Sequence, residues 1–164
     1  QGVSSAASDV YKRQPIYRHG HVYVFSGMGS MSAIRPGGSG DVDRSHVTWS
    51  RRKVVPKKSS PLLLGDFLFM VSDEGVASCS NPLTGEVIWA ERLKIKGQCA
   101  SSPIHANGRI YSFSSDGDCI VFKAERKGLS ILAHNRLPNG CMASPAVVGN
   151  SLLVRTKDKL YRFD

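Results

Sequence analysis

The chain has 164 residues, 41% hydrophobic and 21% charged, with a formal net charge of +9. These are globular values, with apolar residues enough to bury a core, and they exclude wholesale disorder. No run approaches the roughly twenty apolar residues a membrane helix needs, so no membrane span is expected.

Residues 1–14, QGVSSAASDVYKRQ, are polar and lack the apolar region of a signal peptide. They resemble a translated adapter sequence and are expected to be a disordered, non-native scar, foreign to the fold. Without them the net charge is +8, because Lys12 and Arg13 outweigh Asp9 by one. The native N-terminus and any targeting signal would then lie elsewhere.

From Pro15 onward the chain repeats. Ser60-Pro61, Ser102-Pro103 and Ser144-Pro145 recur at intervals of forty-two residues. After each proline, Pro15 included, comes a glycine turn at Gly20, Gly65, Gly108 or Gly149, then a largely apolar strand: HVYVF, FLFMV, RIYSF or SLLV. A second turn follows, SDEG at 72–75 and SSDG at 114–117, with partial echoes at 26–30 and 156–159. Third strands follow as VASCS and CIVFK, and fourth strands as VTW at 47–49, EVIWAERL at 86–93 and LSILAHNRL at 129–137. Internal repeats of four short antiparallel strands are the mark of a propeller blade.

The prediction is an all-β propeller with blades at 15–53, 59–93, 100–137 and 142–164, about three and a half in all. Propellers close with roughly four to eight blades. The open edges are therefore expected to meet missing blades of the same chain, and the outermost strand of the last blade is expected from the lost N-terminus.

The excess positive charge raises acidic surfaces and nucleic acid as partners. Basic residues are dispersed, apart from Arg51, Arg52, Lys53, Lys57 and Lys58 around Pro56. That cluster reads as a connecting loop with neither a recognition helix nor aromatic platforms, which points away from nucleic acid. Cys79, Cys99, Cys119 and Cys141 follow the repeat and form no C-x-x-C pair, so they read as buried thiols rather than zinc ligands. His19 and His21 alternate along a strand, which could bring them to one side, but a solvated blade edge is the simpler reading.

GMGSMSAIRPGGSGD at 27–41 lacks the GK[ST] of a phosphate loop and reads as an enlarged hairpin and loop of the first blade. As an irregular excursion it is the place for a ligand or partner contact, with Arg35 and Asp41 as charged candidates.

The stretch CSNPLTGEVIWAERL resembles the tryptophan-docking motif of pyrroloquinoline-quinone (PQQ)-like repeats. Asn81 stands where that motif has aspartate and Cys79 where it has alanine, while Thr84, Gly85 and Trp89 match it. The resemblance covers residues 15–164, most closely propellers of planctomycete type similar to the outer-membrane-assembly propeller lipoproteins. Read physically, Asn81-Pro82 starts a turn and Gly85 closes it with a positive φ. Trp89 then covers the turn of the adjacent blade.

The third blade carries Leu132 near the tryptophan place. The resemblance implies a non-catalytic scaffold of the periplasm or cell envelope that binds other proteins or a small ligand through its blade-top loops. Neither catalytic nor metal residues are assigned, and no cofactor is expected. The alternative is a fragment of a quinone-dependent dehydrogenase, for which PQQ and calcium would be required. Such enzymes carry adjacent cysteines, which this chain lacks, and converging acidic ligands. Here Asp73, Glu74, Asp116 and Asp118 fall in hairpin turns, where Asp is expected for turn reasons alone. Under this alternative the missing blades would carry the site.

Overall fold

The computed structural model describes residues 15–26 and 28–164. The adapter-like segment 1–14 lies outside the described residues, as does Gly27 within the 27–41 stretch. Each sheet is an antiparallel meander in chain order. The first holds β1 (Ile16–Arg18), β2 (His21–Ser26), β3 (Ser30–Ile34) and β4 (Val47–Arg51), with the one-turn helix α1 (Asp43–His46) before β4. The second holds β5 (Leu62–Leu64), β6 (Phe67–Val71), β7 (Val76–Ser80) and β8 (Val87–Arg92). β9 (Ile104–Ala106), β10 (Arg109–Phe113), β11 (Asp118–Lys123) and β12 (Ile131–Arg136) form the third. The fourth has three strands: β13 (Ala146–Val148), β14 (Ser151–Arg155) and β15 (Leu160–Phe163). The architecture is the all-β propeller expected from the period, with three complete blades and a three-stranded fourth.

Successive side chains of a strand point to opposite faces, and in a propeller both faces meet a neighbour. This is why FLFMV is apolar throughout. Leu68 and Met70 join Tyr23, Met31 and Ala33 of the first sheet. Phe69 and Val71 face the other way and join Ile110, Ile120 and Phe122 of the third. A third cluster sets Phe113, Cys119 and Val121 against Val154 of the fourth sheet. The core is thus a set of layers between blades rather than one central mass. Each fully buried large side chain contributes about 1.5–3 kcal/mol by leaving water.

The four cysteines are free and buried in these layers. Burial pushes the Cys79 and Cys99 thiols up to about 11 and Cys119 to about 12. At neutral pH they are uncharged, unreactive packing groups.

The Ser-Pro pairs have a role that spacing alone does not show. The Ser60 amide donates to Ser102 Oγ (2.9 Å), and the Ser102 amide donates to Ser144 Oγ (3.0 Å). Residues forty-two apart therefore bond directly, and the entries to β5, β9 and β13 are laced together. Ser59 and Ser101, one residue earlier, donate to the carbonyls of Val71 and Phe113. Replacing Ser102 with alanine is expected to cost about 1 kcal/mol, the usual worth of one such bond. Urea denaturation measures it, and an unchanged midpoint would show that this rung carries no stability.

The 27–41 stretch is more ordered than a simple loop. It contains β3, whose Met31 and Ala33 are buried. The excursion proper runs from Arg35 to α1. The basic residues around Pro56 lie at the end of β4 and in the connection to β5.

Candidate functional site

The turn between β7 and β8 is built from its own residues first. Asn81 Oδ1 accepts from the Leu83 amide (2.9 Å), and the Gly85 amide donates to the Asn81 carbonyl (2.9 Å). Thr84 Oγ1 accepts from the Glu86 amide (3.3 Å). Gly85 has φ of +74°, and a Cβ there would lie 2.6 Å from Trp49 Cδ2. Glycine is needed twice over at this position, for the left-handed backbone and for the indole lying on it.

The tryptophan on this turn is Trp49, from the preceding blade. Its Nε1 donates to the Pro82 carbonyl (2.8 Å). Arg51 adds two bonds from Nη1, to the Gly85 carbonyl and to Ser80 Oγ, both 2.9 Å. Its guanidinium carbon lies 6.0 Å from the Trp49 ring centroid. Burial lowers the Arg51 pKa from its ordinary value. Trp89 repeats the arrangement one blade on, with Nε1 donating to the Glu125 carbonyl (3.1 Å). Glu91 reinforces it by accepting from the Leu129 amide (3.1 Å).

Each indole ends a row that crosses its blade at matching register. The rows are Ile16, Tyr23, Ala33, Trp49 and Leu62, Phe69, Cys79, Trp89. The third reads Ile104, Tyr111, Val121, Ala133. A register shift beside the last pair recurs in all three blades, at Ala33/Ile34, Cys79/Ser80 and Val121/Phe122. The residue in the tryptophan place of the third blade is therefore Ala133, and Leu132, expected there, is the extra residue of the bulge. A cleft of about 400 Å³ lined by Tyr111, Val121, Leu152 and Phe163 opens beside this row, where the third blade brings no indole.

The sequence marks Trp49 as the end of a fourth strand and Arg51 as part of a basic connecting loop, and points neither to the docking turn, whereas Arg51 in fact ends β4. The signal was present, since Trp49 and Trp89 both lie in fourth strands forty residues apart. What it could not show is that the acceptor belongs to the next blade.

Arg35 and Asp41 each bond within the excursion itself. Arg35 Nη2 donates to the Ser45 carbonyl (2.9 Å), and Asp41 Oδ1 accepts from the Asp43 amide (3.0 Å). Both fold the excursion around α1 while remaining exposed. His19 and His21 also part company: His19 Nε2 donates to the Gly65 carbonyl (3.0 Å), and His21 Nε2 meets Thr48 Oγ1 (3.0 Å). A cleft of about 310 Å³ lies beside the docking turn, lined among others by His19, Asp66, Asn81 and Arg126.

Among the described residues, no three His, Cys, Asp or Glu side chains come together as a metal site. Calcium binding needs several converging oxygen ligands. The cysteines are separate in sequence.

Residues 41–130 match the family model described as outer membrane protein assembly factor BamB. No curated protein matches the sequence. BamB from Moraxella catarrhalis superposes with a TM-score of 0.69 at 14% identity, over 92% of this chain and 44% of that one. This chain thus spans under half the length of that relative. The computationally designed Ika4 protein gives 0.67 at 11% identity, over 93% of this chain and 89% of that one. Quinohemoprotein alcohol dehydrogenase ADHIIG from Pseudomonas putida HK5 gives 0.63 at 12% identity, over 87% and 28%. At such identities the superpositions speak to fold alone. The family match takes in over half of the chain, including the docking turn, Trp49 and Trp89, and the chain belongs to the BamB family of PQQ-like repeat β-propellers.

Proposed function

We propose that the chain is part of a non-catalytic scaffold of the bacterial cell envelope, periplasmic or secreted, that binds other proteins or a small ligand through its blade-end loops. The observation that carries this reading is the use of the motif residues. Asn81, Thr84, Gly85, Trp49 and Trp89 are engaged in building turns and joining blades. The family match supports a role in assembling partners, and among the described residues no three His, Cys, Asp or Glu side chains gather to hold a metal ion. Function in such a fold must reside in sites carried by the loops.

The alternative, a fragment of a quinone-dependent oxidoreductase, draws on the likeness to the alcohol dehydrogenase fold. Incubating the purified protein with PQQ, calcium, a primary alcohol and a redox dye separates the two. No dye reduction above the protein-free rate is expected. Quinone-dependent turnover would overturn the scaffold reading.

A further inference from the structure

The net charge is not spread evenly over the propeller. A meander places alternate connections at opposite ends of its blades. One end carries the β2–β3, β6–β7, β10–β11 and β14–β15 turns with the connections between blades. The count takes these loops and the strand-terminal residues beside them, and leaves aside Arg51, whose guanidinium is bonded into the β7–β8 turn. This end then holds eleven Lys and Arg against five carboxylates among the described residues. The other end holds seven against six. The difference is six net positive charges against one.

The excess is larger in effect than in number. Of the five carboxylates, Asp73 and Asp118 are buried. Asp73 Oδ1 accepts from the amides of Lys57 (2.7 Å) and Lys58 (3.2 Å), while the Lys58 ammonium donates to Gln98 Oε1 (2.7 Å). Asp118 Oδ2 accepts from the Lys96 amide (2.7 Å), and its Oδ1 lies 3.4 Å from His134 Nε2. Lys94 and Lys96 form no ion pair within 4.0 Å among the described residues; the pairs at this end are Lys57 with Glu74, at the 4.0 Å limit, and His134 with Asp118. The backbone thus occupies an oxygen of Asp73 and one of Asp118, and no ion pair within 4.0 Å engages Arg52, Lys53, Lys94 or Lys96 among the described residues.

The surface is also indented. A cleft of about 290 Å³ is lined by Lys94, Lys96, Arg136 and the Asp118–His134 pair, and one of about 260 Å³ by Arg52, Lys57, Glu74, Val55 and Met28, so basic groups outnumber the single acid in each. Each sits where one blade passes to the next. Two exposed methionines, Met28 (89% exposed) and Met142 (63%), lie at this end, while the exposed aromatics Tyr17 and Phe163 belong to β1 and β15. Nucleic acid needs aromatic platforms for its bases, which these loops do not present. A flat anionic bilayer has no use for separate clefts of side-chain size. Flexible methionines beside basic clefts suit a protein partner.

We propose that this end of the propeller docks an acidic segment of a partner protein, whose carboxylates enter the Lys94–Lys96–Arg136 and Arg52–Lys57 clefts. The inference rests on the scaffold reading above and names the chemistry of its partner. Long-range attraction of this kind raises association rates and is screened by salt within roughly 10 Å at 0.1 M.

The test titrates the protein with a fluorescently labelled Asp/Glu-rich peptide and follows anisotropy at low and high salt. In parallel it uses phosphatidylglycerol vesicles and a single-stranded oligonucleotide. Peptide binding is expected to weaken about tenfold or more in Lys94→Glu/Lys96→Glu, and to weaken likewise in Arg52→Gln/Lys57→Gln. It is expected to remain within about twofold of the parent in Arg109→Glu/Lys127→Glu, which makes the same change of charge as the first variant at the opposite end. Circular dichroism verifies the fold of each variant, and the charge-neutral Lys94→Gln/Lys96→Gln replaces any that fails. Equal loss from both ends, no loss from the cleft variants, or tighter binding of vesicles or oligonucleotide overturns the proposal. Those outcomes leave the scaffold reading standing, whereas quinone-dependent dye reduction would remove that reading first.

Discussion

Gly117→Ala is expected to be among the most damaging single substitutions in this chain. Gly117 has φ of +94°, and a Cβ on it would lie 1.9 Å from the Leu137 carbonyl oxygen. The obstacle is backbone, which cannot rotate away as a side chain would. The contact is reciprocal across the third blade: Gly140, in the connection after β12, would place its own Cβ 1.7 Å from the Ser115 carbonyl oxygen. Two hydrogen bonds fasten the pieces, from the Leu137 amide to Gly117 (2.7 Å) and from the Cys141 amide to Ser114 (2.9 Å).

Alanine at 117 would meet a left-handed penalty of about 1–2 kcal/mol. It would also force the turn and connection apart, disturbing bonds worth about 1 kcal/mol each. The expected loss is about 3–4 kcal/mol, a large part of the ~5–15 kcal/mol typical of a domain. Gly20→Ala is the control, since φ is +69° but nothing lies within 4 Å of its Cβ; about 1–2 kcal/mol is expected there. Guanidinium denaturation of both variants decides the matter. If Gly117→Ala unfolds at the same midpoint as Gly20→Ala, the backbone clash has no energetic weight.

Trp49→Ala is the second. The indole lies on the Gly85 turn, donates to Pro82, and has its ring 6.2 Å from Tyr23. Fully buried tryptophan truncations cost about 3–5 kcal/mol, and Trp49 is half-buried, so about 2–3 kcal/mol is expected. Trp49→Phe keeps much of the packing but loses the hydrogen bond, and about 1 kcal/mol is expected for it. The chain has two tryptophans, so Trp89→Phe makes Trp49 the sole indole reporter of docking. In that background Trp49 emission should shift to the red as the first and second blades separate. Equal stability of Trp49→Ala and Trp49→Phe would show that neither packing nor the remaining ring joins these blades.

The two substitutions probe what could and could not be read from residue order. The Ser-Pro period, the FLFMV and RIYSF strands and the glycine turns are local features, so periodicity alone was enough for the blade and its order. β3 escaped because SMSAI is small and lies among glycines. Met31 and Ala33 become core only when Tyr23 and Trp49 arrive beside them. Ala133 takes the tryptophan place ahead of Leu132 because one bulge residue shifts the register, and a bulge has no mark in the sequence. Arg35 and Asp41 are charged residues of one loop by sequence, and only the structure shows that each bonds a backbone group of that same loop.

Composition established an excess of positive charge, and residue order a β-rich repeat and a family resemblance carried by Thr84, Gly85 and Trp89. Local hydrogen-bonding rules were sufficient for each of these, because turns and strand alternation depend on neighbours in the chain. Three things came from the assembled blades: the partner of each indole, the lacing of Ser60, Ser102 and Ser144, and the gathering of charge at one end. All depend on residues about forty apart meeting across a blade boundary, or on which end of a meander each loop occupies. Those distances exist only once the sheets have packed.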